Sequence, residues 1–362
     1  MNKNTRKEIG SLMAEAAVSF FEVDGELRPV YTDESDFAIT VLAIDSLTEK
    51  IIGSNEKLFA LKTNKFTKQK FIAPTKTGSG LLSALKSNVP GIRSCFCNHE
   101  FSPRFELFVK HAIERDLDYW LTFDSAISEK DVTKACDILD GFVNAVREEG
   151  RRASFNAKLR RFQRSADKNN LSLYRYLRRT LAKNSKINVR RYDLAYQKEG
   201  AWPTQKACSV SSSQAKEHRE ALIKAAKKDL IGKHLIGYAW KMDHSAPRGF
   251  QHHLLLVLDE ASVEEQLSVD AALKHAWGEA TGAKGLLVDC NNLYPAFKSH
   301  GIGLIDDDKA AWSVFRNICI QMTQADNFIK LSLPGTARAF GKAELIDKKA
   351  ESTSKPARKV KD

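Results

Sequence analysis

The sequence predicts an α+β fold built on an antiparallel sheet, and three observations carry that expectation. Residues 237–243 and 251–258 are strand-length runs joined by a turn containing Pro247 and Gly249, which makes them a hairpin. Further strand-like runs at 187–195 and 285–290 are interspersed with helix-length patterns at 213–228, 263–281 and 308–329. Adjacent paired strands, with helices between the others, build a sheet with helices packed against it.

Taken in order, residues 1–145 read as a mixed α/β domain of unknown role. Strands are expected at 37–44 and 119–123, and helices at 104–115 and 131–149, the second behind Ser128 as its cap. Residues 73–80 read as a loop; they hold Lys76, Gly78 and Gly80 but lack the Gly-Lys-Ser/Thr ending of a phosphate loop. Residues 150–345 form a second expected domain, which begins with a basic helical stretch. There Phe155, Leu159 and Phe162 set a helical spacing, Asn169 and Asn170 interrupt it, and Leu173, Tyr174, Leu177 and Leu181 resume it. Residues 346–362 are polar and Lys-rich without periodicity, and read as a disordered basic tail.

Charge narrows the partner. The formal net charge of +12 points to a polyanion, and residues 151–191 hold 14 Lys/Arg against one acid, Asp167. The rest of the chain is close to neutral, with 43 basic and 44 acidic residues. Solvated helix faces normally mix signs, so this segment reads as a phosphate-binding surface. Its candidates are Arg151, Arg152, Lys158, Arg160, Arg161, Arg164, Arg175, Arg178, Arg179, Arg190 and Arg191. Six irregularly spaced cysteines and a polar N-terminus fit reduced thiols in the cytoplasm. Residues 11–21 are too short, and carry Glu15, for an export segment. The longest apolar runs are strand-sized, so no membrane partner is expected. Cys95, Cys97 and His99 resemble half a zinc site, but no second pair follows at finger spacing.

The hairpin carries the chemistry. Asp243 closes its first strand, and Gln251, His252 and His253 open its second. Strand alternation turns Gln251 and His253 to one face, and His252 to the other with Leu254 and Leu256. A carboxylate, an amide oxygen and an imidazole would hold Mg²⁺ or Mn²⁺ only weakly. The plainer reading is a strand end whose imidazoles are hydrogen-bonded at the surface.

The segment Gly237-Tyr-Ala-Trp-Lys-Met-Asp243, followed by Gly249, Gln251 and His253, resembles the YagK/YfjJ family of prophage proteins. Members typically show Gly-Tyr-x-Trp-Lys-x-Glu, a short turn and Gly-x-His-x-His. The resemblance extends to Asn188-Val-Arg-Arg-Tyr-Asp-Leu-Ala-Tyr196, to residues 276–282 and to residues 289–292, and so covers roughly residues 155–345. That family is similar to replication proteins of filamentous phages (inoviruses) and to His-x-His endonucleases that initiate rolling-circle replication. The resemblance implies a palm-like replication-initiator domain, a metal on two histidines and a tyrosine nucleophile on a later helix. Here Gln251 stands at the first histidine, Gln321 at the tyrosine and Gln324 at a lysine, whereas Asp326 and Lys330 fit.

No tyrosine occurs from Pro295 onward, and an amide cannot form a covalent link to a phosphate. The resemblance therefore implies a pseudoenzyme that binds single-stranded or hairpin DNA, cleaves nothing and carries no stoichiometric metal. Two alternatives stay open. One is an active Mg²⁺- or Mn²⁺-dependent nicking enzyme with Tyr294 as a relocated nucleophile. The other is a protein-interaction module of a prophage or defence locus acting through residues 1–145.

Overall fold

The computed structural model describes residues 9–10, 19–23, 26–30, 33–117, 129–198, 206–290, 302–306, 309–335 and 338–344. They form a mixed α+β structure whose centre is a six-stranded antiparallel sheet. The first half supplies hairpin β1 (Ser19–Val23) and β2 (Glu26–Val30), helix α1 (Asp33–Gly53), and hairpin β3 (Phe59–Thr63) and β4 (Lys70–Pro74). It continues through α2 (Lys76–Leu85), α3 (Val89–Cys95), β5 (His99–Phe101), α4 (Pro103–Ile113) and α5 (Glu129–Arg151). The second half begins with α6 (Ala153–Asn184), β6 (Lys186–Tyr196), α7 (Ser212–Ala226), α8 (Asp229–His234), β7 (Leu235–Ser245) and β8 (Gly249–Leu258). It ends with α9 (Gln266–Ala280), β9 (Gly285–Asp289), β10 (Gly303–Asp306), α10 (Lys309–Thr323), β11 (Ile329–Leu331) and β12 (Phe340–Lys342).

The strand order is β10-β6-β8-β7-β12, with β9 also pairing β6. All ten residues of the central strand β8 are buried, because helices cover the sheet on both faces. On one face Val189, Ala239, Leu255 and Val257 pack against Leu173 and Leu177 of α6 and Phe315 and Ile318 of α10. On the other, Tyr192, Leu194, Leu254, Leu256 and Leu258 meet Leu222 of α7 and Leu273 and Trp277 of α9. Burial on both sides accounts for the unbroken apolar run 254–258, since neither face needs polar residues.

The two expected domains share a core. Phe105, Phe108 and Phe142 of the first half pack in one cluster with Phe155, Ile320, Phe328 and Ile329 of the second. Strand β11 pairs with β5, Ile329 opposite Phe101. The boundary expected near residue 145 falls inside α5, which runs to Arg151.

Several local expectations are corrected. Residues 37–44 belong to helix α1, whose buried positions Glu34, Ala38, Val41, Leu42, Asp45 and Thr48 follow a helical period that an eight-residue window cannot separate from a strand. Residues 73–80 are not a loop throughout: α2 starts at Lys76, capped by Thr75, which accepts from the Gly78 N–H. Asn169 and Asn170 do not break α6. Asn170 donates to Thr323 Oγ1 at 3.2 Å, and burial of Ala166 and Leu173 offsets a propensity penalty of about 0.7 kcal/mol per residue. The helix expected over 308–329 ends at Thr323, because a short 3₁₀ turn redirects the chain into β11. The expected strand at 119–123, the cap Ser128 and the tail 346–362 lie outside the described residues.

Strand β7 packs tightly against α6 at Gly237, where an added methyl would overlap the Tyr176 hydroxyl and lie 3.0 Å from its Cζ. Gly237→Ala is expected to cost about 1–3 kcal/mol, as overpacking does. Tyr176→Phe in the same chain should recover part of that loss in thermal denaturation, by removing the overlapping oxygen.

Candidate functional site: a buried charged pocket and a cationic helix face

The β7–β8 register sets Asp243 opposite Gln251 and Lys241 opposite His253, while β6 sets Asp193 opposite His253. Directly opposed residues share a face, so these side chains and Arg191 project together beyond the apolar patch under α6. Helix α1, strand β5 and the end of α10 close over them. The result is a pocket of about 60 Å³, lined by Glu34, His99, Arg191, Lys241, Asp243, Arg248, His253 and Gln321, with Phe96 and Ile320 among its apolar walls.

Its charged groups are paired. His253 Nδ1–H donates to Asp193 Oδ1 at 2.6 Å, and Arg191 reaches the same oxygen at 3.3 Å. His99 Nε2 lies 3.2 Å from Asp243 Oδ1, which also accepts from the His244 N–H at 2.8 Å. Lys241 Nζ meets Asp326 Oδ1 at 2.7 Å. The Arg248 guanidinium forks onto Glu34, which also accepts from Ser245 Oγ at 2.6 Å. Burial alone would raise the Asp193 carboxyl, but the charges of His253 and Arg191 hold it well below the usual range. Asp243 is likewise held low against its burial, by the His99 hydrogen bond and the Lys241 charge.

The alternation expected for the histidines is present, but they are buried rather than at the surface. His252 points to the opposite face, donates from Nε2 to the Ala215 carbonyl at 2.9 Å, and meets the Trp240 ring edge-on. Gln321, on α10, lines the same pocket as His253 and Asp243, and its buried amide nitrogen has no partner among the described residues. Gln251 is buried with its amide nitrogen also unpaired. Gln324 is turned aside and accepts from Asn327 at 2.8 Å. Tyr294 lies outside the described residues.

Asp243, Gln251 and His253 share a face, but they do not fit a divalent metal. Asp243 and His253 are each engaged by another side chain, and Arg191, Lys241 and Arg248 bring three cations to the same pocket. A doubly charged ion would be repelled by all three. Among the described residues no group of three or more His, Cys, Asp or Glu side chains is placed to hold a metal. The Cys95–His99 half-site is likewise spent. Burial pushes the Cys95 thiol up to about 12, and His99 faces Asp243.

The cationic segment is one continuous helix with two unlike faces. Phe155, Leu159, Ala166, Leu173 and Leu177 are buried on one side of α6. Lys158, Arg160, Arg161, Arg164, Arg175 and Arg179 are exposed, and none makes an ion pair with a described residue. Lys168, absent from the expected set, joins them. The spacing Arg161, Arg164, Lys168, Arg175, Arg179 keeps these side chains in one stripe at 3.6 residues per turn. Beside it runs an open groove of about 890 Å³, lined by Lys168, Arg175, Tyr176, Arg179, Lys183, Lys342 and Glu344. Lys342 reaches it from β12, nearly 160 residues past Lys183, a contribution that only tertiary pairing creates.

Five of the expected phosphate contacts are otherwise occupied. Arg191 is 4% exposed and faces Asp193. Arg190 pairs with Asp289 at 3.1 Å. Arg151 binds the carbonyls of Ile52 and Ser54, both at 2.9 Å, and Arg152 pairs with Glu148 at 2.5 Å. Arg178, although exposed, stacks on Trp312 with its guanidinium carbon 4.4 Å from the ring centre. A sequence signal existed for Arg191, because strand alternation sets Asp193 on its own face.

The chain matches no family model, no curated protein and no solved structure. The YagK/YfjJ resemblance therefore stands on its motif residues alone.

Acid should loosen this region first. Burial lowers His252 from 6.5 to about 3 and His244 to about 4. Both folded-state values lie below the unfolded one, so their stability is complete above about pH 6.5 and is lost as pH falls toward 3–4. His252 alone should cost about 2 kcal/mol at pH 5. The depressed Asp193 and Asp243 add further loss below about pH 4. Urea denaturation should show lower stability at pH 5 than at pH 7, with a smaller difference in His252→Gln.

Proposed function

We propose that the protein binds DNA through the cationic face of α6, with single-stranded or hairpin DNA of a mobile element as its partner, and that it does not cleave it. The observation that carries this reading is the stripe from Arg161 to Arg179, whose cations make no ion pair with a described residue while the opposite side of the same helix is buried. An unneutralised row of cations on a rigid support costs stability by self-repulsion and is compensated when phosphates displace their counterions. Arg forks grip phosphate bidentately, and the stripe is rich in Arg. From Arg161 to Lys183 the helix runs roughly 33 Å at 1.5 Å per residue, comparable to one turn of duplex at about 3.4 Å per base pair.

Two features support the absence of cleavage. Gln321 occupies the position that the resemblance assigns to the nucleophile, across the pocket from His253, and its amide cannot carry a phosphodiester. The pocket is also small, about 60 Å³, and Asp193, Lys241, Asp243 and His253 around it are already engaged by other side chains. Among the described residues no helix is long and apolar enough to cross a membrane.

Fluorescence anisotropy with a labelled hairpin oligonucleotide should show affinity falling steeply between 50 and 300 mM salt, by roughly 0.7–0.9 log units per log unit of salt for each phosphate contact. Substituting Arg164, Lys168, Arg175 and Arg179 together by Gln should lower that slope by about three. Arg191→Gln should reduce stability and leave the slope alone. Binding that is flat with salt, or unchanged in the fourfold variant, would refute the α6 reading. With Mg²⁺ or Mn²⁺, neither the native protein nor Gln251→His should form a covalent adduct with single-stranded DNA. An adduct from either would place the nucleophile elsewhere.

A further inference from the structure

Residues 57–99 hold eight Lys/Arg and no acid, a cationic segment concealed by the balance of residues 1–145, which have 18 basic and 21 acidic residues overall. Its centre is the β3–β4 hairpin. Every residue from 61 to 71 is exposed, so the hairpin stands clear of the body. Its base is fixed, with Phe59 fully buried in the core. Arg147 and Arg151 bind the carbonyls of Ile51, Ile52, Ser54 and Glu56 just ahead of β3.

The tip is fixed as well. Asn64 Oδ1 accepts from the Phe66 N–H at 2.9 Å and the Thr67 N–H at 3.3 Å. The Asn64 N–H donates to Gln69 O and the Lys68 N–H donates to Asn64 O, both at 2.9 Å. Lys68 takes a left-handed φ of 57° to close the turn. This ordered turn holds out Phe66, whose ring is 95% exposed, between Lys65 and Lys68. Lys62, Lys65 and Lys68 make no ion pair with a described residue.

A rigid turn that presents an aromatic ring among unpaired cations suits a ligand that offers flat apolar faces and negative charge together. Unpaired bases on a phosphate backbone offer both. We propose that the β3–β4 hairpin is a second nucleic-acid-binding element, in which Phe66 stacks on an unpaired base while Lys62, Lys65 and Lys68 bind the flanking phosphates. An anionic membrane would satisfy the charge but not the shape, because segments that lie on bilayers bury a broad apolar face. Here the other exposed apolar residues diverge. Leu61 opposes Ile72 and Phe71 opposes Lys62, which places Leu61 and Phe71 on opposite faces of the hairpin. The element stands on its own residues and does not depend on the α6 reading.

The test is anisotropy of the full chain with labelled dT20 and with the same length of abasic backbone. Phe66→Ala removes no charge and, being exposed, no core. It should weaken dT20 binding roughly 5- to 100-fold with an unchanged salt slope, and leave abasic binding at the native level. Phe66→Trp should retain affinity and show indole quenching by dT20. Lys62→Gln/Lys65→Gln/Lys68→Gln should lower the salt slope by about two. Native affinity of Phe66→Ala for dT20 would overturn the proposal, as would Phe66-dependent sedimentation with phosphatidylserine vesicles in place of DNA binding. Loss of binding in the fourfold α6 variant alone would remove this element and keep that face. Loss in Phe66→Ala alone would do the reverse.

Discussion

Buried charge at one end of the sheet constrains how the two halves of this chain can sit. Glu34 of α1 is buried and must be neutralised; Arg248, in the turn between β7 and β8, does so with help from Ser245. His99 of β5 meets Asp243 of β7 in the same way. Breaking one partner of such a pair typically costs about 3–5 kcal/mol, because it strands a charge away from water. The backbone follows the same seam: Ala246 N–H donates to Cys95 O, and Ser102 N–H donates to Phe328 O. The first half therefore caps the polar end of the sheet rather than standing apart.

That cap decides what the motif-bearing face can do. Asp193 pairs with His253, Lys241 with Asp326 and Asp243 with His99 around a small cavity. Electrostatic complementarity here is directed inward and rigidifies the joint. The outward-facing charge lies elsewhere, on the solvent side of α6 and on the β3–β4 hairpin. Both are supported by apolar anchors, Leu173 and Leu177 for the helix and Phe59 for the hairpin. A cationic surface held on such supports loses little conformational entropy when it binds.

Much of this was legible in the sequence. The hairpin of β7 and β8, the turn at Pro247 and Gly249 and the opposite orientations of His252 and His253 follow from a period of two, which depends only on strand geometry. The amphipathic pattern of α6 was visible for the same reason at 3.6 residues per turn. Short windows failed where both periods fit, as in α1, where Val41, Leu42 and Ile44 read as a strand until Glu34, Asp45 and Thr48 extend the helical spacing. Propensity failed at Asn169 and Asn170, where packing against α10 outweighed a local preference for breaking the helix.

What the sequence by itself determined was the set of amphipathic elements and the cationic surplus of residues 151–191, because both depend on neighbours a few residues away. Which cations remain free was decided only by the tertiary structure. Arg190 is matched by Asp289, Arg248 by Glu34, and Arg151 by carbonyls near residue 52, all brought together by the folding of distant segments. The exposure of Phe66 was likewise decided by the fold, because every residue of the hairpin from 61 to 71 faces water. Coulombic pairing and burial act through space, so the identity of the unpaired charges is a property of the fold and not of the local chain.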